Sequence, residues 1–130
     1  MRDINRYFDI ITSMVRHSPA VDYEISYEKR EEGLGMIAAI LEFADGSKLD
    51  FKEVVEVRAY RPIKHRYSYH YMQGEKTVFR YDNAQHHRQI KTFPHHKHVG
   101  RKVVAAVEPT LKQVLEEITT LIEMGESGGQ

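Results

Sequence analysis

The stretch KHRYSYHYMQGEKTVFRYD, residues 64–82, reads as two β-strands around a turn, and the register of that hairpin decides which side chains share a face. A two-residue Gln73-Gly74 turn would pair Met72 with Glu75 and mix aromatic with charged groups on both faces. A three-residue loop, Met72-Gln73-Gly74 with Gly74 in the left-handed conformation, would pair Tyr71 with Glu75 instead. Tyr67, Tyr69 and Tyr71 then share a face with Thr77, Phe79 and Tyr81. Arg66, Ser68 and His70 share the other with Lys76, Val78, Arg80 and Asp82. The second register separates apolar from polar groups, as a sheet with one buried face requires, and is the one expected.

Upstream of the hairpin, VDYEISYE alternates Val21, Tyr23, Ile25 and Tyr27 with polar neighbours, the period of a half-buried strand. GMIAAILEF is apolar almost throughout and reads as a central strand covered on both faces, joined through Ala44-Asp45-Gly46-Ser47 to the strand KLDFKEVVEV. Tyr60-Arg61-Pro62 reads as a break before the hairpin. Ile4, Phe8, Ile11 and Val15 recur at helical spacing, with Arg16 and His17 in the last turn before Ser18-Pro19. At the other end Leu111, Val114, Leu115, Ile118, Leu121 and Ile122 trace a second helical stripe. Thr110 with Gln113 can form its capping box, and Gly125 is expected to end it. The fold class is α+β: an antiparallel sheet of about five strands with a helix at each end of the chain. Residues 1–125 form one domain and 126–130 a flexible tail.

The 130 residues, 41% hydrophobic and 29% charged, suit a single globular domain that needs no disulfide or structural metal. With no cysteine, thiolate is excluded both as nucleophile and as metal ligand. No signal peptide and no transmembrane run are visible, so no membrane role and a cytoplasmic location are expected. The formal net charge of zero hides an asymmetry. From Arg58 to Lys102 eleven Lys or Arg face two acids, a net +9, balanced by −5 before that window and −4 after it. The window also holds seven of the eight histidines, together with Tyr81 and other aromatic rings. Basic groups interleaved with aromatics can hold a phosphate backbone and stack bases, although a charge block by itself usually just solvates a surface.

Directly after the hairpin, residues 79–98, FRYDNAQHHRQIKTFPHHKH, place His86, His87, His95, His96 and His98 within thirteen positions. The order RYDN, HH, FPHHKH, followed by EPTL leading into VLEEI, resembles the TumE-like toxins of prokaryotic toxin–antitoxin systems. The resemblance takes in the HRYSYHYM strand and the flanking helices, hence most of the chain. The family pattern commonly has a proline after the Ala of RYDNA, where this chain has Gln85, a difference in loop stiffness more than in chemistry. The resemblance implies a toxin that degrades RNA and is neutralised by a DNA-binding antitoxin encoded beside it.

Metal-free RNA cleavage needs a base for the 2′-OH proton, an acid for the leaving 5′ oxygen, and cations around the phosphorane-like transition state. Histidine suits both proton roles near neutral pH. The candidate catalytic set is His70, Arg80, Asp82, His86, His87, His95, His96 and His98, with His70, His86 and His96 favoured as acid and base. Asp82 would orient a histidine. Arg66, Tyr81, Asn83, Arg88, Lys91, Lys97, Arg101 and Lys102 are the candidate RNA contacts. Each has a plainer reading: His70 a cross-strand surface residue, His86-His87 a cap, Asp82-Asn83 a turn. No cofactor is expected. The competing chemistry is zinc held by His86, His96 and His98, which Arg88, Lys91 and Lys97 oppose by charge. Asp45, Asp50, Glu53 and Glu56 form no recognisable two-metal motif. A non-catalytic RNA-binding module and a pure protein-interaction domain remain alternatives, and a homodimer stays open.

Overall fold

The computed structural model describes residues 3–128. Helix α1, Ile4–Arg16, begins where the Asp3 carboxylate accepts from the amides of Asn5 and Arg6, and it buries Ile4, Tyr7, Phe8, Ile11 and Val15. His17 caps its far end, Nδ1 donating to the Ser13 carbonyl at 2.8 Å. Strands β1 (Asp22–Glu31), β2 (Leu34–Glu42), β3 (Lys48–Arg58), β4 (Arg61–Gln73), β5 (Lys76–Asp82), β6 (His96–Val99) and β7 (Lys102–Ala105) follow, then helix α2, Leu111–Gly128. Each strand pairs antiparallel with the next, so the sheet order is the chain order.

The α+β class holds, with seven strands rather than about five. The five strands expected from the sequence are β1 to β5. The extra pair, β6 and β7, is a hairpin of two four-residue strands around Gly100, which has φ +59°. HKHV and KVVA are too short to show a period of their own, and β6 is held by its pairing with β5.

The β4–β5 register differs from the expected one. Gln73 faces Lys76 across a Gly74-Glu75 turn, Met72 faces Thr77, and a bulge then sets Tyr71 opposite Phe79, His70 opposite Arg80 and Ser68 opposite Asp82. Gly74 is in the left-handed region, φ +62°, as anticipated. Tyr71 was expected opposite Glu75, so the register beyond the bulge is displaced by four positions. Four is even, and a side chain changes face only with an odd slip. Tyr67, Tyr69, Tyr71 and Phe79 therefore remain in the core, and Arg66, Ser68, His70, Arg80 and Asp82 remain opposite. Ahead of the bulge the slip is odd: Lys76, opposite Gln73, and Thr77, opposite Met72, change face, Val78 packs against the core, and the Thr77 hydroxyl lies 2.7 Å from His70 Nε2.

Two local readings are corrected. Residues 60–62 do not break the chain: Ala59 and Tyr60 take positive φ in a two-residue turn, and Pro62 sits inside β4 opposite Val57. Proline is tolerated there because β5 pairs only from Ser68 onward, leaving this end of β4 an open edge. Strand β2 is not covered on both faces. Its Ile37, Ala39 and Leu41 are buried, whereas Ile40 on the other side is exposed.

Both helices cover the same sheet face, where Phe51, Tyr69 and Phe79 pack with Ile4, Ile11, Val114 and Ile118. Gly35 is the close-approach point: a Cβ there would lie 2.7 Å from Phe8 Cζ and 2.9 Å from Ile4 Cγ1. The Thr110–Gln113 capping box forms, both reciprocal bonds being made. Gly125 does not end α2, which continues to Gly128. Of the anticipated tail at 126–130, residues 129 and 130 lie outside the described ones. Within the core, Glu53 is buried and accepts from the hydroxyls of Tyr7 and Tyr69. Lys64 Nζ donates to Tyr69 Oη at 2.7 Å and to the Pro109 carbonyl at 2.5 Å, fastening the approach to α2.

Candidate active site

The face opposite the helices carries the site, and strand pairing assembles it. Asp82 pairs with His96 and Arg80 with His98, so these four side chains stand together on β5 and β6. The 83–95 loop returns His87 over them, its ring centroid 4.9 Å from that of His96 and 5.7 Å from that of His98. His96 and His98 are themselves 4.9 Å apart.

Asp82 organises the cluster from a buried position. Its Oδ1 accepts from His96 Nε2 at 2.8 Å and from the Ala84 amide at 3.0 Å, and its Oδ2 accepts from Arg80 Nε at 3.0 Å. His96, 2% exposed, also directs Nδ1 at the Pro94 carbonyl at 3.0 Å. Both His96 nitrogens thus face oxygen acceptors, the Asp82 carboxylate and the Pro94 carbonyl. His98 is in the opposite situation. Its Nε2 lies 3.1 Å from the Arg80 guanidinium, which can only donate, so the lone pair of a neutral imidazole is there. Burial, then Arg80, lowers the His98 pKa below the ordinary histidine value, with Asp82 pulling the other way.

The remaining sequence candidates divide by face. His70 bonds Thr77, and its pKa is lowered by burial and then by Arg80. His86 is exposed and, with Arg66 and Asn83, lines an open groove beside the cluster. His95 points the other way, stacked on Tyr67 with Nδ1 2.8 Å from its hydroxyl. Lys97 and Tyr81 also face the helices, both bonded to Glu117 on α2, at 2.7 and 2.6 Å. Asn83 joins the loop to β4, accepting from the Tyr67 amide and donating to the His65 carbonyl, both at 3.0 Å. Arg88 lies over the Phe93 ring at 5.8 Å, while Lys91, Arg101 and Lys102 are exposed.

Among the described residues, the histidine nitrogens that converge for a metal belong to His87, His96 and His98, within 4.8 Å of one another. His87 thus stands where His86 was expected in that set. As arranged, the trio does not fit a cation: Arg80 holds the His98 lone pair, and both His96 nitrogens face acceptors. Sequence reasoning missed the groove's floor, Met36, Ala38 and Val54. Their alternation with buried neighbours along β2 and β3 was the available signal.

A family model described as Toxin TumE matches residues 9–123. The chain belongs to the TumE toxin family. The matched span contains all seven strands and the whole histidine cluster. No curated protein and no solved structure matches the chain. As a TumE-family protein it is the toxin component of a toxin–antitoxin system, for which an antitoxin is the partner. Among the described residues no helix is long and apolar enough to cross a membrane.

Proposed function

We propose that this TumE-family toxin is a metal-independent ribonuclease in which His98 is the general base and His87 the general acid. One observation carries the assignment: His98 offers a lone pair beside the Arg80 guanidinium, with the His87 ring 5.7 Å away. In the reaction, the 2′-OH gives its proton to His98 as O2′ bonds to phosphorus. The P–O5′ bond breaks, and His87 gives a proton to the leaving O5′. Arg80 turns from His98 to the non-bridging oxygens, where negative charge develops. The products are a 2′,3′-cyclic phosphate and a 5′-hydroxyl.

His96 is too deeply buried to reach a substrate, so it and Asp82 act as positioning residues that hold the β5–β6 face and the Pro94 turn. His70 and His86, favoured from the sequence, lack the arrangement of base, cation and second ring. Arg66, Asn83, Arg88, Lys91, Arg101 and Lys102 are left as RNA contacts, whereas Lys97 and Tyr81 are engaged with α2. A second reading, zinc held by His87, His96 and His98, draws on the convergence of their nitrogens and requires His98 to leave Arg80 and His96 to leave one of its acceptors.

Incubation of the purified protein with a defined RNA, with and without EDTA, separates the two readings. Cleavage that persists in EDTA and leaves cyclic phosphate ends supports acid–base chemistry. Cleavage lost to EDTA and restored by zinc overturns it in favour of the metal. In cells, expression of this chain alone should arrest growth, and a DNA-binding antitoxin should relieve the arrest. Harmless accumulation of folded protein would count against a toxic ribonuclease.

A further inference from the structure

The sheet face opposite the helices holds an open groove of about 850 Å³ that runs from β1 to the site. Strand pairing lays two neighbouring rows of side chains across it. One row is Glu28, Met36, Val54, Arg66. The other is Ser26, Ala38, Lys52, Ser68, Asp82, and it continues to His96. Arg80 and Asp82 belong both to the groove and to the histidine cluster, so anything lying along these rows ends at the reacting groups.

The chemistry of the rows is graded. Glu28 closes the β1 end with a carboxylate paired with Arg30 at 3.6 Å. The floor in between is small and apolar: Met36, Ala38 and Val54. Lys52 and Arg66 stand exposed beside that floor, and Arg80 lies at the site end. The β2-to-β5 distance is three strand spacings, roughly 14 Å.

We propose that this groove binds an unpaired segment of RNA. The bases lie on Met36 and Val54, and the phosphates on Lys52 and Arg66, leading the scissile linkage to Arg80. An apolar floor needs bare base faces to cover it, and a duplex keeps those faces stacked inside itself. Lys52, Arg66 and Arg80 draw the phosphates toward the histidine end, where the Asp82 carboxylate is already engaged by Arg80 and His96. This inference rests on the ribonuclease reading and adds to it the strand state of the substrate and the path it takes.

The test uses the full chain and fluorescence anisotropy with a labelled RNA carrying 2′-O-methyl groups throughout, which cannot be cleaved, so binding is read apart from turnover. The single strand is expected to bind at least about tenfold more tightly than its own duplex. Val54→Glu should weaken single-strand binding by about tenfold or more. Lys52→Ala, at an exposed position, should lower the slope of log affinity against log salt by about one. Lys112→Ala, on α2, should change neither. Wild-type affinity and salt slope in both groove variants would overturn the groove, and intact cleavage of natural RNA would then leave the ribonuclease standing. Equal binding of duplex would also overturn it. So would a Val54→Glu variant that keeps RNA but loses the antitoxin, since the groove would then be a protein interface. Absence of any RNA binding would remove both the groove and the ribonuclease.

Discussion

His98 Nε2 lies 3.1 Å from the Arg80 guanidinium and 3.4 Å from Asp82 Oδ2, with a donor on one side and an acceptor on the other. The position suits a group that changes its proton during a reaction, since Arg80 favours the free lone pair and Asp82 the protonated ring. Burial and Arg80 outweigh Asp82, so His98 rests neutral with its pKa lowered.

The pH dependence follows from that direction. A base must be unprotonated, so the acid limb of kcat/KM should lie below the ordinary histidine value of about 6.5. Replacing Arg80 with Met removes a cause of the lowering, so it should move the limb to higher pH as well as reduce the rate. A limb that stays in place, or moves to lower pH, would separate Arg80 from the base.

Alkaline stability should report the buried Glu53 pair. Burial first, and Glu53 next, raise the pKa of Tyr7 and Tyr69 far above the ordinary phenol. The folded protein therefore keeps both protonated where the unfolded chain ionises, near pH 10. Their contribution is complete below that pH and is lost as the pH rises through and beyond it. Urea midpoints measured from pH 8 to 11 should fall steeply at the alkaline end. Tyr69→Phe should soften that fall while costing about 1–3 kcal/mol at neutral pH, because Glu53 loses a donor. A pH response unchanged in Tyr69→Phe would contradict this assignment.

Asp82→Ala should remove the acceptor of the buried His96 Nε2 and of Arg80 Nε together. The unmet donors cost about 1–3 kcal/mol, read from denaturant unfolding. Because Asp82 positions the cluster, kcat should fall more than KM rises. A variant with wild-type stability and kcat would deny Asp82 that role.

Gly35→Ala should lower stability by about 1–3 kcal/mol, because the new Cβ meets Phe8 and Ile4 at less than 3.0 Å and α1 must lift from β2. Thermal unfolding of the purified variant is the check. An unchanged midpoint would mean that α1 accommodates the methyl group freely.

The helices α1 and α2 and the strands β3 to β5 were legible in the sequence because each repeats its burial pattern over several turns or alternations, whereas β1 was legible as a strand but not as a half-buried one, since Val21, Tyr23 and Tyr27 are exposed and Ile25 alone of the four is partly buried. The β4–β5 register was not, because sequence alternation fixes face and leaves even slips open. That is why Arg66, His70, Arg80 and Asp82 were grouped correctly while every expected pair was wrong. The site was legible as a neighbourhood, and its working members were not. Once His96–Val99 is known to be a strand, parity alone sends His96 and His98 to one face and His95 and Lys97 to the other. Four residues carry no readable period, so that split awaited the pairing with β5.

The most direct test of His87 as acid and His98 as base is the cleavage rate of an RNA whose scissile 5′ oxygen is replaced by sulfur, a leaving group that needs no proton. His87→Ala should cleave ordinary RNA about 10²–10⁴-fold more slowly than the unaltered protein. The expected result is that His87→Ala regains most of its rate on the sulfur substrate, while His98→Ala remains slow on both. If His87→Ala is equally slow on both substrates, His87 does not protonate the leaving group, and the assignment of acid and base is wrong.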